Sequence, residues 1–320
     1  MTKSLHFLPA VCALFLSWPV SGQTQSGFTI VDSANASTNN RLNAIAALSP
    51  TDVWAVGYYV TDSFLNLAMH WDGARWTITP TPNPSQPYTD QLKKLAAIAP
   101  NDVWAVGGHG LSNTMRWNGA VWSQVAVPPI NNRGFSNVSN SLDDIAAVGS
   151  NDIWAVGWMD AMDGGSWTLT LHWDGTSWTQ IPSPNQPMPN GGFYSQALRS
   201  VVAISANNVW AVGYYRVGST QHPLIQHWDG TKWSIVPAPD GPTGDGTLYG
   251  IAAASANDIW AVGEYAKTDF NTMAKGLTMH WDGTRWSVFI PPNPSPYGIN
   301  PINAIAARGP NDFYAAGQWE

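Results

Sequence analysis

One phrase recurs along this chain at nearly constant intervals. It is Val-Trp-Ala-Val-Gly or Ile-Trp-Ala-Val-Gly, centred on Trp54, Trp104, Trp154, Trp210 and Trp260, with a weaker Phe-Tyr-Ala-Ala-Gly at Tyr314. Successive centres lie 50, 50, 56, 50 and 54 residues apart. Before each centre stands an apolar run closed by a turn, such as LNAIAALSPTD from Leu42, LDDIAAVGSND from Leu142 and INAIAARGPND from Ile302. After it comes HWDGxxW, at His70, His172, His227 and His280, replaced by RWNGAVW at Arg116. A fixed period of this length means stacked supersecondary units.

Each unit reads as four short strands. The apolar run is the first, and Pro50, Pro100 or Pro310 supplies the φ near −65° that the following turn wants. The Trp-centred phrase, apolar at consecutive positions, is a strand buried on both faces. The third strand ends at His-Trp, Asp-Gly makes a tight hairpin, and the second Trp opens the fourth. Such a four-stranded antiparallel sheet cannot cover its own apolar faces. The expected fold is therefore all-β, a β-propeller of four-stranded antiparallel blades, six in number. The repeats run over about 42–91, 92–141, 142–197, 198–247 and 248–301, with a partial one at 302–320. Residues 28–32 resemble a fourth strand without its first three, so they are expected to close that last blade, which stays incomplete. Either this blade has three strands or the sequence is cut from a longer parent with more blades.

Composition agrees with a scaffold of turns and stacked rings. Charged residues are 11%, against roughly 25% in an ordinary soluble chain, while Trp numbers 19. Fifteen of those Trp fall at the three repeated positions of the five full repeats. A net charge of −7 with 14 unclustered Lys and Arg gives no footprint for nucleic acid. Lys3, the mostly apolar run Leu8 to Leu16 and the small residues Val20-Ser21-Gly22 read as an export signal over 1–22. The mature propeller would be 23–320, secreted or extracytoplasmic at the cell surface or in the periplasm. The apolar run is too short to span a bilayer. Cys12, the single cysteine, lies inside the signal, so the exported form would lack a thiol, a disulfide and a thiolate metal site.

The strand ending in Val-Gly, the aromatic third strand, the turn and the Trp opening the fourth strand resemble kelch-type propellers over residues 28–320. The Trp-Asp-Gly-x-x-Trp hairpin is similar to the Asp-box of sialidase-like propellers, one residue shorter. The kelch-like enzyme galactose oxidase implies a copper site with a tyrosine–cysteine crosslink, for which Cys12 is out of place. Sialidase-like chemistry implies an arginine cluster, whereas the eight arginines here are scattered in sequence. Similar tandem repeats occur in secreted bacterial proteins of unassigned role. The resemblance thus bears on fold rather than activity.

The repeated histidines occupy one place in separate blades, which points to a structural role and not to a metal site. Nine aspartates belong to the two repeated turns. Function is expected where repeats differ, in the long connections on one face of the ring. Candidate ligand-binding residues there are Tyr58, Tyr59, His109, Trp158, Trp167, Tyr214, Tyr215, Glu264 and Tyr265. Asp143 and Asp144 begin a first strand, nearest the channel, where other blades offer Asn43, Lys93, Lys94, Arg199, Tyr249 and Asn303. Paired carboxylates there suit acid–base work if one pKa is raised, and otherwise are solvated charge. DAMDGG from Asp160 faintly resembles a calcium loop, but position twelve is Leu171, so it reads as a loop. No cofactor, metal or catalytic set is expected. The reading is a monomeric, non-catalytic binding or scaffold propeller for a glycan or protein on the long-loop face. The alternatives are a carbohydrate-active enzyme using the channel carboxylates, and a structural fragment of a larger surface protein.

Overall fold

The computed structural model describes residues 4–8, 31–84, 91–108, 110–132, 135–136, 138–160, 164–187, 195–265, 274–291 and 300–318. Five four-stranded antiparallel sheets follow one another, each in simple sequence order. Blade one is Asn39–Ser49, Asp52–Val60, Phe64–Trp71 and Trp76–Thr79. Blade two is Leu92–Ala99, Asp102–Gly107, Asn113–Trp117 and Trp122–Gln124. Blade three is Asn140–Gly149, Asp152–Asp160, Ser166–Trp173 and Trp178–Gln180. Blade four is Gln196–Ser205, Asn208–Val217, Thr220–Trp228 and Trp233–Ile235. Blade five is Thr247–Ser255, Asp258–Tyr265, Lys275–Trp281 and Trp286–Phe289. A sixth, incomplete blade pairs Ile302–Gly309 with Asp312–Gly317. The first strands of successive blades lie side by side, so they form the inner wall of a β-propeller. No helix long and apolar enough to cross a membrane occurs among the described residues.

The repeated aromatics hold neighbouring blades together. Trp154 of blade three is 1% exposed. It stacks on His172 of its own blade at 4.5 Å and meets Trp228 at 4.8 Å and Trp233, edge-on, at 5.3 Å in blade four. The same trio of tryptophans recurs between blades one and two, two and three, and four and five. At the last interface Phe313 takes part, 6.1 Å from Trp260. Fully burying such a ring contributes at most about 4–6 kcal/mol, and edge-to-face pairs add to it.

The repeated polar residues complete each blade. His172 Nε2 and Asp152 Oδ1 stand 2.8 Å apart, and His70 with Asp52 and His280 with Asp258 repeat the pair at 2.8 and 2.7 Å. In blade two Arg116 replaces the histidine, donating from Nε to Asp102 at 2.8 Å with its guanidinium 5.2 Å over Trp104. The third-to-fourth-strand connection is longer than a two-residue hairpin, because Trp173 pairs with Trp178 and four residues lie between. Asp174 Oδ1 accepts from the amides of Thr176 and Ser177 and from the Thr176 hydroxyl at 2.8, 2.9 and 2.6 Å. This side-chain cap, not a tight Asp-Gly turn, fixes the loop. Both kinds of short turn share one face: a Cβ placed on Gly175 would sit 2.7 Å from Asn151 Oδ1.

Around the ring, the described residues leave one flank uncovered. Leu42 and Ile45 of blade one are 47% and 67% exposed, while their counterparts Leu142 and Ile145 in blade three are 0% and 5%. The face of blade one that would meet a preceding blade is therefore left uncovered by the described residues. At the other end, Ser4–Leu8 lies parallel beside Asp312–Gly317. Of the expected closing segment 28–32, residues 28–30 lie outside the described residues, and Val31 and Asp32 belong to no strand.

Candidate functional site

Every first strand carries an irregularity at the same place. The ladder with its second strand slips between Leu42 and Ala44, Leu92 and Lys94, Leu142 and Asp144, Leu198 and Ser200, Leu248 and Gly250, and Ile302 and Ala304. A bulge leaves one residue unpaired and re-aims its side chain. Those residues are Asn43, Lys93, Asp143, Arg199, Tyr249 and Asn303. The glycine closing each Trp-centred strand faces the bulge, and an added Cβ on Gly157 would lie 1.9 Å from the Ser141 carbonyl oxygen. The repeated Val-Gly is therefore a backbone requirement of the channel wall.

Five of these bulged residues, with their neighbours, line an open cavity of about 360 Å³ at the long-loop mouth of the channel. Its lining is Arg41, Asn43, Tyr58, Gln91, Lys93, Lys94, Asp143, Arg199 and Tyr249. Asp143 sits between two cations, with Lys93 Nζ at 2.6 Å on one oxygen and Arg199 Nη1 at 2.6 Å on the other. Lys93 also donates to Ser141 Oγ at 2.8 Å. Arg199 lies over the Tyr214 ring at 5.4 Å, and its Nε is buried with no hydrogen-bond partner among the described residues. Tyr249 donates its hydroxyl proton to Glu264 at 2.6 Å. Burial first, then that bond to Glu264, pushes the Tyr249 hydroxyl pKa upward, so it stays protonated as a donor.

Asp144, though adjacent to Asp143, does not join it. Its Oδ2 accepts from Ser200 Oγ at 2.6 Å and from the Val201 amide at 3.0 Å, tying blade three to blade four, and Oδ1 accepts from the Ile145 amide. Burial raises its pKa, against the opposing pull of Lys94 and of these hydrogen bonds. The two carboxylates that look paired in sequence thus take different partners: Asp143 the channel cations Lys93 and Arg199, Asp144 the Ser200 hydroxyl and Val201 amide of blade four.

The other candidates separate by strand alternation. Tyr58 lines the channel cavity and packs on Phe64 at 5.2 Å. Tyr214 and Glu264, at the equivalent positions of blades four and five, touch the channel residues Arg199 and Tyr249. Trp158 occupies this position in blade three, half-buried and paired in register with Ser141. One residue on, the side chains leave the channel. Tyr215 stacks on His222 at 5.1 Å and packs against the core between blades three and four, and Tyr265 packs against the core between blades four and five. Tyr59 is half-buried in register with Asn40 and Leu65. Trp167 lines a separate cavity, also about 360 Å³, with Asn131, Gln180 and Asn185. His109 lies outside the described residues. Arg41 and Gln91 were not anticipated. The signal available for them is that the position before each repeat's leading Leu or Ile varies freely: Arg41, Gln91, Ser141, Ala197, Thr247 and Pro301.

No family model matches the chain, and no curated protein does. Solved structures do resemble it. One is a PL25 ulvan lyase bound to -[GlcA(1-4)Rha3S]-, 10% identical over 86% of this chain and 74% of that one, with a TM-score of 0.55. Another is YCF48 from Cyanidioschyzon merolae, 14% identical over 85% and 90%, at 0.50. A third is Trypanosoma rangeli sialidase in complex with sialic acid, 11% identical over 88% and 52%, at 0.50. The likeness is one of fold. The chain spans about half the length of the sialidase and 56% of a YCF48 chain bound to a D1 peptide.

Proposed function

We propose that this protein is an exported, non-catalytic binding propeller that holds a glycan at the long-loop mouth of its channel. The observation that carries the reading is the cavity of about 360 Å³ whose polar side chains are turned inward by the repeated bulges, with Tyr58 and Tyr249 beside them. That size falls within the range of small-ligand sites, and rigid strands position every lining group except Gln91, which stands one residue before its strand. Proteins of like fold solved with saccharides are compatible with it. In this reading the repeat is of kelch-like or Asp-box-like kind. Cleavage after Gly22 would remove Ser4–Leu8 and free the edge of Asp312–Gly317 for the segment 28–32.

A carbohydrate-active enzyme working through the same carboxylates has less support. Asp143 has each oxygen on a cation, Asp144 is engaged with blade four, and Glu264 accepts from Tyr249. The test is a glycan array followed by calorimetry on its hits. Binding that falls about tenfold in Tyr58→Ala and is unchanged in Trp167→Ala, with the saccharide recovered intact, is expected. A blank array, or hits indifferent to Tyr58→Ala, refutes the reading.

A further inference from the structure

The chain is acidic overall, at −7, and has only 14 Lys and Arg, yet four of them line this one cavity. Arg41, Lys93, Lys94 and Arg199 outnumber the single lining carboxylate, Asp143. They remain in excess when Asp144 and Glu264, just behind the wall, are added. Asp143 satisfies Lys93 and one nitrogen of Arg199. Among the described residues, Arg41 and Lys94 have no carboxylate within 4 Å, and the buried Arg199 Nε has no acceptor. A half-buried ammonium and a buried guanidinium N–H both lose solvation without a full replacement. A negative group in the cavity would face the half-buried Lys94 and the exposed Arg41 and would offset the positive excess of the lining.

From this geometry we infer that the ligand is an anionic saccharide, with its carboxylate or sulfate seated among Arg41, Lys94 and Arg199. The inference rests on the channel mouth being the binding site. Asn43, Gln91 and the two tyrosines supply hydrogen-bonding and ring surface for the sugar body, which suits a compact saccharide better than an extended acidic peptide. In a protein repelling anions elsewhere, a positive cavity also selects its ligand and speeds its capture.

The experiment uses the full protein and three probes in calorimetry: tetragalacturonate, its fully methyl-esterified form, and a tetraglutamate peptide. The expected result is binding of tetragalacturonate at least about tenfold tighter than of the ester or the peptide, weakening as salt rises. Arg41→Gln with Lys94→Gln should weaken it by about tenfold or more while the protein stays folded at the assay temperature, whereas Arg285→Gln on the opposite face should leave it unchanged. Equal binding of acid and ester, with loss in Tyr58→Ala, keeps the glycan site and overturns the anion inference. Preference for the peptide overturns it as well. Failure of every saccharide, charged or neutral, overturns the site and the inference together.

Discussion

Replacing Gly157 by Ala tests the requirement that links the repeat to the channel. The added methyl would lie 1.9 Å from the Ser141 carbonyl oxygen and 2.9 Å from Leu142 Cα. Both obstacles are backbone, so no rotamer change relieves them, and the first two strands of blade three must part by more than about an ångström to restore ordinary contact. Overpacking of this kind costs about 1–3 kcal/mol, and two ladder hydrogen bonds beside the bulge add about 1 kcal/mol each. The expected loss is about 3–5 kcal/mol, or roughly a 10 °C fall in melting temperature for a domain of this size. Gly149→Ala in the same blade is the control. No described residue lies within 4 Å of its added Cβ, and its φ is not in the left-handed region. It should change stability by less than about 0.5 kcal/mol. Thermal unfolding of both variants, followed by tryptophan fluorescence, decides the matter. Equal melting temperatures for the two would refute the claim that the glycine exists to admit the bulge.

Two further outcomes follow from the charges. Asp143→Asn leaves Lys93 and Arg199 facing an uncharged side chain; because both cations are partly solvated, about 2 kcal/mol of stability should be lost by denaturant unfolding, while tetragalacturonate affinity rises, and a stable variant with unchanged affinity would contradict the charge assignment. The turn carboxylates Asp174, Asp229 and Asp282 are held down to a pKa of about 2, first by threonine hydroxyls and then by backbone amides. Their folded values lie below the ordinary 3.8, so their contribution is complete above about pH 4 and is lost as pH falls through about 2. Asn118 accepts the same two amides in blade two, so Asn at all three sites keeps the caps and removes the titration. Melting curves from pH 5 to 2 should fall less steeply for that triple variant, and identical slopes would refute the assignment.

The blades were legible in the sequence because each is a local object. Strand, turn and strand are neighbours along the chain, and the Trp phrase with its following HWDGxxW marks the strand boundaries. The buried Trp54, Trp104 and Trp154 and the His–Asp pairs answer to residue types repeated at fixed spacing. The candidate site was legible only in part. Asn43, Lys93, Lys94, Arg199 and Tyr249 were visible as a varying position near the channel, but not as one cavity.

What the sequence alone determined is the unit and its repetition, since alternation, turn chemistry and aromatic spacing act over a few residues. Tertiary structure decided the meeting of Arg41, Lys94 and Arg199, which follow one another at intervals of 53 and 105 residues along the chain and converge only because inner strands line one axis. It also decided the separate fates of Asp143 and Asp144. In an unbroken strand they would simply alternate; the bulge aims one at the channel cations, while the next blade's Ser200 claims the other.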